Sequence, residues 1–139
     1  MPKLGQKPRC IGIVGSRRRD SEEDWRKVWE VFDEHYRPGD TIVSGGCEQG
    51  ADSVAERIAK QRGITITVHY PRKEDLNQEL LKTNPRAAYA IINYARNTLI
   101  AKQADLLIAF VAPDRKGGTE DTIKKFLRRQ FKDRWIIYA

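Results

Sequence analysis

Two kinds of hydrophobic pattern alternate along the chain. Short runs in which nearly every residue is apolar mark buried strands. Between them, apolar residues recur at three- and four-residue spacing, as on helices with one buried face. The first run, Cys10 to Val14, ends at Gly15-Ser16 and predicts a strand. Ser21 then opens a helix, with Asp24 three residues on as a capping-box-like partner. Its stripe of Trp25, Val28, Trp29, Phe32 and Tyr36 has the spacing of a face packed on a sheet, which is the expectation here over a base-stacking surface. After the turn Arg37-Pro38-Gly39-Asp40, Thr41 to Val43 predicts a second strand. Ala51, Val54, Ala55, Ile58 and Ala59 make the next helical face, with Ser53 and Glu56 at capping-box spacing and Arg62-Gly63 closing the helix.

The β-branched run Ile64 to His69 predicts a third strand, ended by Pro71. Residues 72–83 are polar, with room for a short helix. Asn84-Pro85 joins a capping side chain to a proline at the first helical position, and Ala88, Ile91, Ile92, Ala95, Leu99 and Ile100 carry that helix to about Gln103. Asp105 to Val111 is the most hydrophobic strand. A loop, Ala112 to Gly118, leads to a helix from about Thr119 to Arg129, and Arg134 to Tyr138 predicts the last strand. This β-α-β-α-β-α-β-α-β order implies a mainly parallel sheet of five strands, or slightly more, covered on both faces. Right-handed crossovers make it a doubly wound α/β fold, a Rossmann-like three-layer sandwich, in one domain spanning residues 1–139. In such sheets the ligand sits beyond the carboxyl ends of the strands, where strand order reverses.

Three loops that the topology brings to that edge carry unusual residues. Gly15-Ser16-Arg17, followed by Arg18 and Arg19, offers close backbone approach, a hydroxyl and positive charge, although a plain strand-to-helix turn reads the same way. Ser44-Gly45-Gly46-Cys47-Glu48-Gln49-Gly50-Ala51-Asp52 places three glycines before a helix, a cradle for an anion or a sugar. Asp52 would repel a phosphate, so it suits ribose hydroxyls or a base; its plainer role is a second helix cap beside Ser53. Gly117-Gly118-Thr119 opens a helix with free N–H groups and a hydroxyl. Arg96-Asn97 lies on the preceding helix, and an arginine on that Ala/Ile/Tyr-rich segment needs a carboxylate or a ligand phosphate.

The charge of the 139-residue chain is +7, placed as +5 over residues 1–20, −3 over 21–114 and +5 over 115–139. Basic segments thus flank the predicted site, as an anion attractor or as solvated ends. No loop is a Walker motif or a GxGxxG fingerprint, and no acid follows the second strand as a ribose hook. Triphosphatase and NAD dehydrogenase functions are disfavoured, and neither cofactor nor metal is expected. His35 sits at a helix end and suits C-capping; His69, at a strand end, is the better candidate base. Cys47 lacks a neighbouring base and is read as a bystander; a Cys10–Cys47 bridge stays open. No span-length apolar run or secretory signal is seen, so a soluble, cytoplasmic protein without membrane partners is expected.

The ordered set IGIVGSR, VSGGCEQGAD, ARNTLIAKQADLLIAF and GGTEDTIKKF resembles the SLOG superfamily, the Smf/DprA-like and Lonely Guy-like proteins, and within it the small stand-alone YpsA- and YspA-like members. The likeness spans roughly residues 10–130. It implies a Rossmann-like domain that binds nucleotides, nucleotide derivatives or single-stranded nucleic acid, and it implies dimers or larger homo-oligomers. It places Gly15, Ser16, Arg17, Ser44, Gly45, Gly46, Gly50, Asp52, Arg96, Asn97, Gly117, Gly118 and Thr119 at the site. Lonely Guy-type phosphoribohydrolases cleave the N-glycosidic bond of nucleoside monophosphates with an arginine, approximately matched by Arg96, and a glutamate in PGGxGTxxE. This chain has Lys116-Gly117-Gly118-Thr119-Glu120-Asp121 there, without the proline and with a shorter step from the glycines to the threonine, so Glu120 or Asp121 stands nearest the carboxylate role. Ser44-Gly45-Gly46 and Gly50-Ala51-Asp52 resemble instead the SGxAxGID loop of the DprA branch, which binds single-stranded DNA; the accessory domains that usually flank that core have no room here.

Overall fold

A computed structural model describes residues 7–128 and 135–139. Five parallel strands form one sheet in the order β3-β2-β1-β4-β5: β1 Cys10–Gly15, β2 Thr41–Ser44, β3 Ile66–Val68, β4 Leu106–Phe110 and β5 Trp135–Tyr138. Every residue of β4 is buried, as a central strand covered on both faces requires. Alternation within strands sorts the core into two layers. Ile11, Ile13, Leu106, Ile108 and Phe110 face α1 (Glu22–His35) and α2 (Ala51–Arg62), whereas Val14, Val43, Leu107 and Ala109 face α4 (Pro85–Gln103) and α5 (Gly118–Arg128). This is the three-layer sandwich expected.

Local signals explain where the helices start and stop. Ser21 and Asp24 form the full capping box of α1, and Asn84 caps α4 by accepting from the Ala87 N–H at 3.2 Å, with Pro85 at the first position. Gly63 ends α2 in the left-handed region at φ 65°. The aromatic stripe of α1 packs on the sheet: Phe32 is fully buried, and the Arg57 and Arg62 guanidinium groups of α2 cover the Trp25 and Trp29 rings. It is not left open to stack bases.

Some expectations need correction. Ser53 does not cap α2. That helix begins at Ala51 behind Gly50, without a side-chain cap, because the chain turns through Gly50 at φ 75° and ψ −151°. The third strand shrinks to Ile66–Val68, since Ile64 leaves the ladder to pack on the core. The polar segment holds a 3₁₀ turn at Lys73–Asp75 and α3 at Gln78–Thr83. Cys10 and Cys47 are both free. Cys10 is level with Thr41 at the start of β2, whereas Cys47 lies beyond that strand's far end, three strand steps or about 10 Å further on, past disulfide reach. Arg129 and Arg134, with the outermost basic residues of the charge pattern, lie outside the described residues. No helix among the described residues is long and apolar enough to cross a membrane.

Candidate functional site

β2 and β4 lie on opposite sides of β1, so the crossovers diverge there and leave a crevice at the carboxyl ends of β1 and β4. A cavity of about 700 Å³ opens at that edge. The loops after β1, β2 and β4 wall it, and one face of α4 completes it.

The loop after β1 brings Gly15, Ser16 and Arg17 to the cavity. Gly15 permits the approach, because a Cβ there would stand 2.9 Å from the Ala51 Cβ and 3.0 Å from the Phe110 Cβ. Ser16 accepts the Arg18 backbone N–H at 3.2 Å, which shapes the turn. Arg18 reaches across the mouth and grips Asp114 through two bonds, at 2.9 and 2.7 Å, and also donates to the Lys116 carbonyl. That pairing holds the Asp114 carboxyl below its ordinary range. Arg17 has no hydrogen-bond or ion-pair partner among the described residues.

The loop after β2 divides its labour. Gly45 lines the cavity; Gly46 and Gly50 do not. Gly46, at φ 72°, lies under the Tyr70 ring, and Gly50 lies against the Ser16 carbonyl while donating to Asp20 Oδ1 at 2.8 Å. Both glycines shape the loop rather than form a cradle surface. Ser44 is fully buried behind them and holds Asp52. Asp52 reaches the cavity wall, but protein donors meet both its oxygens: the Ser44 hydroxyl at Oδ1 and the Cys47 N–H, 3.1 Å away, at Oδ2. Burial pushes its carboxyl up to about 6 against these bonds and the opposing charge of Arg96. Its expected role toward a ribose is thus secondary to anchoring the loop. Cys47, read as a bystander, lines the cavity and holds Asp52 through its backbone.

Arg96 and Asn97 project from α4 into the same space. The Arg96 guanidinium donates from Nη1 to the Gly45 carbonyl and from Nε to Asn97 Oδ1 at 2.8 Å, which leaves the rest of its fork for a ligand. Burial lowers its pKa from the ordinary range, and Arg17 adds like-charge repulsion, while Asp52 opposes the shift. Asn97 is buried and ties α4 to α5, donating to the Gly118 carbonyl and to Asp121 Oδ2, both at 3.2 Å. Gly117, at φ 119°, turns the chain into α5, so the first N–H groups of that helix, at Gly118 and Thr119, open on the cavity.

Ten of the thirteen expected site residues therefore meet in one cavity; Ser44, Gly46 and Gly50 stand behind it. His69 lies elsewhere, paired with Gln103 at 2.7 Å, and the His35 Nδ1 lies 2.8 Å from the Val31 carbonyl within its own helix. Arg86 and Asn93 also line the cavity and were not among the expected residues. Positions 86, 93, 96, 97 and 100 share one helical face, but four of the five are polar, the pattern of a solvated face. Compared with family models, curated proteins and solved structures, the chain matches none.

Proposed function

We propose that this chain is a SLOG-type binding protein for a nucleotide or nucleotide-derived ligand, held at the carboxyl edge of the sheet. The supporting observation is the charge of the cavity. Five cationic side chains line it (Arg17, Arg18, Arg86, Arg96 and Lys116) against two carboxylates, and both carboxylates are engaged by protein groups. The N-terminus of α5 adds its N–H groups and dipole. A phosphate suits the space between Arg17, Arg96 and Gly118, and the Asn93 amide suits a base or sugar edge.

The two alternatives find less support. Single-strand binders stack bases on aromatic rings, and no aromatic side chain lines this cavity among the described residues. A phosphoribohydrolase needs a carboxylate facing the sugar. Here Glu120 pairs with Arg115 at 2.9 Å, and Asp121 pairs with Lys125 at 2.9 Å behind Asn97. Self-association, which the same resemblance implies, is supported by Ile91, Tyr94 and Leu99, exposed apolar side chains on α4.

Calorimetric titration with adenosine monophosphate and with a short oligothymidylate, each across a salt series, tests the proposal. The mononucleotide is expected to saturate at one per subunit with a shallow salt dependence. A log–log slope near −0.7 for each of several phosphates, with the oligonucleotide alone bound, would replace this function with the single-strand one.

A further inference from the structure

The cavity has two ends. α4 carries Arg86, Asn93 and Arg96 along its cavity face, and the ten residue steps from Arg86 to Arg96 correspond to about 15 Å of helix axis. At the Arg96 end, Arg17 and the first turn of α5 line the same cavity. At the other end, the Arg86 side chain has neither an ion-pair nor a hydrogen-bond partner among the described residues; Asn93, about 5 Å along the axis from Arg96 and about 10 Å from Arg86, lies between the two.

Arg86 is also misplaced for stability. It occupies the second position of α4, where the positive end of the helix dipole disfavours a cation, and no acid in that first turn offsets it. Arg86 is exposed and no protein group offsets the dipole there; an anion entering the cavity would do so. Arg96 is too far along the helix to share one phosphate with it unless both side chains bend toward the middle.

We infer that the ligand carries a second phosphate remote from the first, bound by Arg86: a nucleoside bisphosphate or a short 5′-phosphorylated oligonucleotide, rather than a simple monophosphate. This rests on the nucleotide function proposed above and narrows its ligand class. The cavity volume, in the upper part of the usual range for small-molecule sites, accommodates such a ligand.

The test is titration of the intact chain with adenosine 5′-monophosphate, adenosine 3′,5′-bisphosphate and the dinucleotide pApA, in the wild type, Arg86→Ala and, as a charge control, Lys124→Ala. In the wild type, at least one of the two doubly phosphorylated probes is expected to bind about tenfold tighter than the monophosphate. Arg86→Ala is expected to lower affinity for that doubly phosphorylated probe about tenfold more than for the monophosphate, while Lys124→Ala changes neither. Which probe gains separates the bisphosphate from the dinucleotide. Arg86→Ala should melt no lower than the wild type, because it removes a cation from the helix start. Monophosphate binding without any gain for either second probe overturns the inference and leaves the proposed function standing; so does an equal loss of monophosphate and bisphosphate affinity in Arg86→Ala. Failure of all three probes to bind the wild type overturns both.

Discussion

Ser44 Oγ lies 3.0 Å from Asp52 Oδ1 and 2.7 Å from the Ile13 carbonyl oxygen, so one hydroxyl proton faces two acceptors. If it goes to Ile13, the contact with Asp52 closes as a hydrogen bond only when the carboxyl carries a proton of its own. With its proton shared in this way, the hydroxyl offsets only part of the burial that pushes Asp52 up to about 6. A carboxyl whose folded pKa exceeds its unfolded value of 3.8 stabilises the fold fully below pH 3.8. That contribution declines as pH rises and is gone above about 6. A shift of this size corresponds to about 3 kcal/mol. Asp52→Asn mimics the protonated acid, since its amide donates to Ser44 and its carbonyl accepts from Cys47. In urea unfolding, the stability of the variant relative to the wild type should therefore rise by about 2 kcal/mol between pH 4 and pH 7. A difference that stays flat across that window would show that Asp52 is ionised throughout.

Gly50 should be far less replaceable than Gly63, although both have positive φ. Gly50 combines φ 75° with ψ −151°, a region essentially reserved for glycine, and a Cβ there would stand 2.9 Å from the Ser16 carbonyl oxygen. Gly63 is in the ordinary left-handed region with nothing within 4 Å. Gly63→Ala is expected to cost about 1 kcal/mol by thermal unfolding, and Gly50→Ala about 3 kcal/mol. Equal losses would mean that the loops after β1 and β2 are not braced against each other.

Most of the fold was legible because its signals are local. The capping box Ser21/Asp24, the Asn84-Pro85 start and the unbroken apolar run of β4 each depend on neighbours in sequence. The site was legible only where loop chemistry was unusual, as at Gly45 or Gly118. Ser44 and Gly46 were read as cradle residues because sequence does not tell which side of a loop meets the ligand. That is decided by tertiary partners such as Ile13 and Tyr70. Arg86 and Asn93 escaped notice for the converse reason. They sit on a regular helix, where polar residues ordinarily mean a solvated face, and only the packing of α4 turns that face toward the crevice. Ser53 had the spacing of a cap, yet the backbone of Gly50 set the helix start instead.

Gly45 separates ligand binding from folding. A Cβ there would stand 2.9 Å from Arg96 Nη1 and 2.9 Å from Asp52 Oδ2, between the half-buried arginine and the buried carboxyl. The guanidinium is the mobile end of a flexible side chain and yields first, which takes it off the Gly45 carbonyl and out of line with a phosphate. Gly45→Val is expected to lower affinity for adenosine monophosphate about tenfold or more while the chain still folds cooperatively. Unchanged affinity in the folded variant would remove this loop from the site.

Arg96 distinguishes a built site from diffuse positive charge. Its guanidinium is oriented by Gly45 and Asn97 and partly desolvated, so a phosphate bond formed there is charge-assisted and shielded from bulk water. Arg128, at the end of α5, is exposed and does not line the cavity. The two substitutions to alanine remove the same formal charge. Any purely long-range contribution is screened beyond about 8 Å at physiological salt and should be small in both. Arg96→Ala is therefore expected to weaken adenosine monophosphate binding about tenfold to a hundredfold, whereas Arg128→Ala changes it less than twofold. The pair is best compared by calorimetry at 0.15 M salt, with circular dichroism confirming that each variant is folded. Equal effects would mean that the basic surface as a whole attracts the anion, and the oriented fork of Arg96 would lose its place in the mechanism.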